Sequence, residues 1–105
     1  MSHSHSFQSW PFRIPVETGV FTTRQVMEGL EPVREVYHDP DGDWQFLCGT
    51  TLDTADLKLV CFGCMFDRDP SIGGLAELPP RWCATRLAPD FAWAQEEYEP
   101  RQDEA

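Results

Sequence analysis

The stretch Tyr37-His38-Asp39-Pro40-Asp41-Gly42-Asp43-Trp44-Gln45-Phe46-Leu47-Cys48 constrains this chain more than any other. Two runs of strand-like composition flank Asp-Pro-Asp-Gly. Pro40 presets φ for the first central position of a turn, Asp41 suits the second, and Gly42 supplies a left-handed residue. A hairpin closed by Asp39 and Gly42 with one bulge is expected. That closure sets Asp39 opposite Asp43, His38 opposite Trp44, Val36 opposite Phe46 and Arg34 opposite Cys48. Side chains alternate along a strand, so Val36, Trp44, Phe46 and Cys48 share one face, with His38 at its rim. Glu35, Tyr37, Gln45 and Leu47 share the other, more mixed face. A lone hairpin is marginal in water, so it must pack on further strands or a helix.

The remaining segments supply those partners. Residues 1–15 are Ser-rich and polar apart from Phe7, Trp10, Phe12 and Ile14, and read as an extended arm that docks these side chains. Gly19–Thr23 reads as a short strand. Thr22 or Thr23 then caps a brief helix from Arg24 to Glu28, ended by Gly29. Gly49 to Asp56 is a polar loop, and Leu57 to Phe62 suits a third main strand. Asp69 is placed to cap a short helix that starts at Pro70 and ends near Gly73-Gly74. Trp82 to Leu87 reads as a final strand, with Phe91-Ala92-Trp93 as an apolar anchor. The expected architecture is α+β: one domain over residues 16–94, an antiparallel sheet of about four strands, and short helices near Arg24 and Pro70 packed on it. Residues 95–105 read as an acidic, disordered tail. The expected core is Val20, Val26, Val36, Trp44, Phe46, Leu59, Cys61, Ile72, Leu75 and Trp82.

Charge narrows the partners. Eighteen acidic against eight basic residues give a net charge of −10, and Lys58 is the single lysine in 105 residues. Binding to nucleic acid or an anionic membrane needs clustered Lys and Arg, and neither partner is expected. A basic protein, in contrast, would be steered toward such a surface. Plain solubility accounts for the same composition. No apolar run approaches the ~20 residues that span a bilayer. The segment Met1-Ser2-His3-Ser4-His5-Ser6 carries neither a basic region nor an apolar core, so a cytoplasmic location is expected.

Candidate chemistry is sparse. Cys48, Cys61, Cys64 and Cys83 contain one Cys-x-x-Cys pair, half the pattern of a zinc ribbon. The other two are isolated within strand-like segments. A dithiol redox site needs the pair between a strand and a helix, and Asp67-Arg68-Asp69-Pro70 cuts a helix short after Cys64. Free cysteines acting as small apolar side chains are the simpler reading. Asp39, Asp41 and Asp43 mimic the first ligands of a calcium loop, but Trp44 and Thr50 stand where its glycine and glutamate belong. His38 beside Asp39 and Asp43 has the makings of a base, but a rim histidine stacked on Trp44 is the better reading. No nucleophile elbow or phosphate-cradling loop occurs. Hence no catalytic, cofactor-binding or metal-binding residue is expected, and no cofactor.

The ordered set Thr22-Thr23-Arg24-Gln25-Val26-Met27-Glu28-Gly29, Pro32-Val33, His38 to Gly49, Asp69-Pro70-Ser71-Ile72 and Leu78-Pro79-Pro80 resembles a bacterial family of small acidic domains of unknown function. These are related to the immunity-protein-like domains of polymorphic toxin systems. The similarity runs from about Phe21 to Trp93 and is strongest at Asp41-Gly42-Asp43-Trp44-Gln45-Phe46. It implies a non-enzymatic domain whose acidic surface caps a basic partner such as a toxin, and it carries over no catalytic residue. The alternative is a stand-alone domain with a small-molecule or metal site built on His38 and the Asp39, Asp41, Asp43 turn, or on the cysteines. Trp10, Tyr37, Trp93 and Tyr98 are the first aromatics expected at a partner surface. Oligomeric state is not legible.

Overall fold

The computed structural model describes residues 10–51 and 53–99. Its centre is the expected hairpin. β2 (Glu35–His38) and β3 (Trp44–Leu47) pair antiparallel, with Val36 opposite Phe46 and His38 opposite Trp44. The Gly42 amide donates to the Asp39 carbonyl at 2.9 Å, and the Asp39 amide to the Asp43 carbonyl at 2.8 Å. Gly42 takes φ +98°, the left-handed conformation that the bulge requires.

The sheet is larger than expected. Six strands lie in the order β4-β1-β3-β2-β5-β6, where β1 is Gly19–Thr23, β4 Leu57–Cys61, β5 Trp82–Thr85 and β6 Ala94–Glu97. It is mixed, because β1 runs parallel to β3 while every other pairing is antiparallel. The C-terminal segment also differs from expectation. The last strand is β6, inside the segment expected as a tail from Gln95 onward, and it is held by backbone pairing to β5 with all four residues exposed. A strand that buries no side chain leaves no hydrophobic alternation to read. The rest of that tail, residues 100–105, and Phe7 of the arm lie outside the described residues.

One face of the sheet carries the core. Val20, Val36, Trp44, Phe46 and Ala84 point into it, and Phe12, Phe62, Met65, Ile72, Leu75 and Leu78 cover them. The cover has four sources. The arm docks as expected: Phe12 lies 4.4 Å from Phe62 and 5.6 Å from Trp44 between ring centres, flanked by Trp10 and Ile14. Helix α1 (Arg24–Met27) follows β1, its first turn capped by the Thr23 hydroxyl, and contributes Val26. A second helix, α2 (Phe62–Arg68), grows straight out of β4 where none was expected. Phe62, Met65 and Phe66 carry the i, i+3, i+4 spacing of a helix face. The 3-10 helix Pro70–Leu75 then starts at Asp69, whose carboxylate accepts from the Ser71 amide, and buries Ile72 and Leu75.

Three of the expected core residues are placed differently. Leu59 is 67% exposed, and Cys61 and Trp82 are only partly buried. In β4 the residue that leans on the core is Val60, opposite Val20. Leu59 pairs with Phe21 on the far side, so the parity of this edge strand is the reverse of that expected.

Candidate functional site

The second face of the sheet is the most distinctive surface of the molecule. Strand register lines up one row of second-face residues across all six strands: Leu59, Phe21, Gln45, Tyr37, the buried Cys83 and Glu96. A neighbouring row runs from Leu47 through Glu35 and Thr85 to Ala94, and Leu57 lies on β4 opposite Thr23. The face therefore changes character along its width. At the β4 edge Phe21, Leu57 and Leu59 are large apolar side chains in contact with solvent, Phe21 at 37% exposure. At the other end the row reaches Glu96 on β6, with Glu35 on β2 and Asp39 at the hairpin turn nearby.

The acidic end is built by hydrogen bonding. Asp39 accepts from the Gln45 side-chain amide at 2.9 Å and from the Tyr98 hydroxyl. The Tyr98 ring meets Tyr37 edge-on at 5.3 Å, and the Tyr37 hydroxyl reaches Glu35 at 3.5 Å. Burial first, then the charge of Glu35, pushes the Tyr37 phenol above its ordinary value. Burial, then Glu96 and Glu35, does the same to the Cys83 thiol. Tyr98 is raised further, by burial and then by its bond to Asp39. Three protonated groups are thus set among Glu35, Asp39 and Glu96, and the negative charge of this end stays uncompensated by any cation in these contacts.

Beside Glu35 and Thr85 the face drops into an open cleft of about 590 Å³ bordered by Thr50, Leu87 and Phe91. Leu87 and Phe91 are both exposed. Arg34 lies beneath, but its guanidinium is engaged by Glu31 at 2.8 Å and by the carbonyls of Cys48 and Leu87 at 3.1 and 3.2 Å. Arg34 and Arg86 both line this cleft, and the part-exposed Arg34 guanidinium is held by these three acceptors.

The residues singled out in the sequence fall apart into separate places. His38 stacks on Trp44 at 4.0 Å and 17° on the covered face, with Nδ1 2.8 Å from the Leu78 carbonyl. Asp39, the next residue, turns to the opposite face, so the histidine and that carboxylate do not share a site. Asp41 folds back to accept from the Asp43 amide at 3.1 Å, an Asx turn that the hairpin itself uses. Among the described residues, no three His, Cys, Asp or Glu side chains converge as metal ligands would. Cys48 lies buried between the hydroxyls of Thr23 and Thr50, at 3.4 and 3.1 Å. Burial raises its thiol, and these hydrogen bonds more than offset that, leaving it below its usual value. Cys83 belongs to the second face. Only Cys61 and Cys64 touch, at 3.1 Å between sulfurs.

Of the four aromatics expected at a partner surface, none is fully open. Trp10 packs edge-on against Phe62 and Phe66, Trp93 lies under Arg86, and Tyr37 and Tyr98 brace one another. The large apolar side chains that are exposed are Phe21, Leu30, Leu57, Leu59, Leu87 and Phe91. The alternation of Val20 and Thr22 with Phe21 was the available signal for Phe21. The strand β6 that brings Glu96 into the row gave none. Compared with models of protein families, with curated proteins and with solved structures, the chain matches none.

Proposed function

We propose that this chain is a non-enzymatic binding domain that caps a basic protein with its second sheet face, in the manner of an immunity-type protein. The observation that carries this reading is the aligned row running from Leu59 and Phe21 to Cys83 and Glu96. Exposed apolar side chains at one edge offer contact area, and desolvating them favours association by ~25 cal/mol per Å². The carboxylates at the other edge select a partner rich in Lys or Arg and speed its approach. A cation brought near Glu35, Asp39 and Glu96 is attracted by their charge. The net charge of −10 acts in the same direction at longer range. A toxin with a basic active-site face is one protein of this chemistry.

The experiment is a parallel affinity capture from the host with the wild-type chain and with Leu59→Arg. Leu59 is largely solvent-exposed, so the substitution leaves the fold intact. The expected outcome is a basic protein held in a one-to-one complex by the wild type, released by moderate salt, and absent with the variant. Equal retention by both proteins, or an acidic partner indifferent to salt, contradicts the proposal.

A further inference from the structure

Cys61 closes strand β4, and α2 begins at the next residue. Cys61 is the N-cap of that helix, in extended conformation, and its sulfur accepts the Cys64 backbone N–H at 3.2 Å. Residues at the N-cap and three positions on are neighbours in space, which is the basis of the capping box. Here both positions hold a thiol, and the two sulfurs lie 3.1 Å apart with each side chain partly exposed. Cys48 and Cys83 are buried elsewhere.

We propose that Cys61 and Cys64 form a redox-active pair that closes reversibly to an intramolecular disulfide by exchange with a low-molecular-weight disulfide such as oxidised glutathione. Closure requires the sulfurs to approach by about 1 Å, to the ~2.05 Å of a bond. In the first step the Cys61 thiolate attacks one sulfur of oxidised glutathione, the S–S bond breaks, and one glutathione leaves as thiolate and takes up a proton. In the second, Cys64 gives up its proton and attacks the Cys61 sulfur, and the second glutathione leaves. Two protein thiols are oxidised, and one glutathione disulfide is reduced to two glutathione thiols. The order has a physical basis. Burial, then the hydrogen bond and charge of Cys61, pushes the Cys64 thiol up to about 11, so Cys64 enters as the resolving thiol. The closed form staples the end of β4 to the first turn of α2.

The test equilibrates the full chain in glutathione buffers of stepped oxidised-to-reduced ratio, traps free thiols with a maleimide, and maps peptides by mass spectrometry. The expected result is a peptide species in which Cys61 and Cys64 escape the maleimide together and two hydrogens are lost, restored by dithiothreitol. Cys64→Ser should instead retain one glutathione on Cys61. Both thiols still trapped in the most oxidising buffer, a bridge to Cys48 or Cys83, or a glutathione on wild-type Cys61 that persists without ring closure would each overturn the proposal. An unmodified Cys61 in Cys64→Ser would overturn it as well.

Discussion

Arg86 Nη2 lies 3.0 Å from Asp69 Oδ2, with the Arg86 side chain only 2% exposed. The same guanidinium donates to the Val33 carbonyl at 3.0 Å and reaches the Ser71 hydroxyl at 3.1 Å, and Trp93 stacks 4.0 Å from it. One cation thus joins the exit of β5, the start of the 3-10 helix and the segment before β2. Removing one partner of a buried pair strands the other charge, at a cost of about 3–5 kcal/mol. Asp69→Ala should therefore lower unfolding stability by about 3 kcal/mol, with a further contribution from the lost helix cap. Combining it with Arg86→Met should recover part of that loss, because no charge is left buried. Denaturant unfolding of the two variants decides this, and a double variant weaker than Asp69→Ala by a full additive step would contradict it.

Gly49 separates two causes of glycine dependence. It takes φ +77°, and a Cβ there would stand 2.9 Å from the Glu35 carboxylate. Gly42 takes φ +98° with nothing within contact distance of an added Cβ. Each substitution to Ala should cost about 1–2 kcal/mol for the left-handed backbone. Gly49→Ala should cost more, and Glu35→Ala in that background should remove the excess. Thermal unfolding of the four proteins measures it. Equal costs for the two glycines would show that Glu35 moves aside freely.

Acid should act through Asp56. Its carboxylate accepts from Gln25 at 3.0 Å and Thr51 at 2.8 Å, and these bonds, then Arg24, hold its pKa below the usual carboxylate value. A folded pKa lower than the unfolded one contributes stability that is complete above the unfolded value, ~3.9. The contribution is lost as pH falls through that value toward the folded pKa. The stability difference between wild type and Asp56→Asn should accordingly be largest near neutrality and shrink below about pH 4. A difference that stays constant or grows on acidification would contradict the assignment.

The bond from Tyr98 to Asp39 holds the outermost strand. β6 buries none of its side chains, and its hold on the sheet rests on backbone pairing with β5 and on this tyrosine. A hydrogen bond to a charged acceptor contributes ~1.5–3 kcal/mol. Tyr98→Phe should free β6 locally, speeding amide exchange across Ala94–Glu97 while β2 and β3 stay protected. Unchanged exchange in β6 would mean that the ladder alone fixes it.

How far the sequence spoke depended on burial. The Asp39–Gly42 turn was legible because Pro, Asp and Gly each occupy the turn position their backbone preference dictates, and it carried the β2–β3 register and the His38–Trp44 stack with it. Asp69 and Thr23 were legible as caps for the same local reason. Leu59 misled because apolar residues on both sides of an edge strand leave its parity open, and only pairing with β1 decides it. Helix α2 was hidden because Phe62 completes the strand pattern and opens the helix pattern at once. The second sheet face was half legible: Glu35, Tyr37, Gln45 and Leu47 were placed together, but Phe21, Leu59 and Glu96 join them only through long-range pairing.

If the second face receives a basic partner, as proposed, a photo-crosslinking residue placed within it should capture that partner. Two positions are compared in the host, Leu59 on the face and Glu77 on the covered side, both exposed. The account predicts a crosslinked adduct with one basic protein from position 59, weakened by Glu35→Lys and by added salt, and none from position 77. Adducts from position 77 alone, or an adduct from position 59 that ignores both the Glu35 charge and the salt, would contradict it.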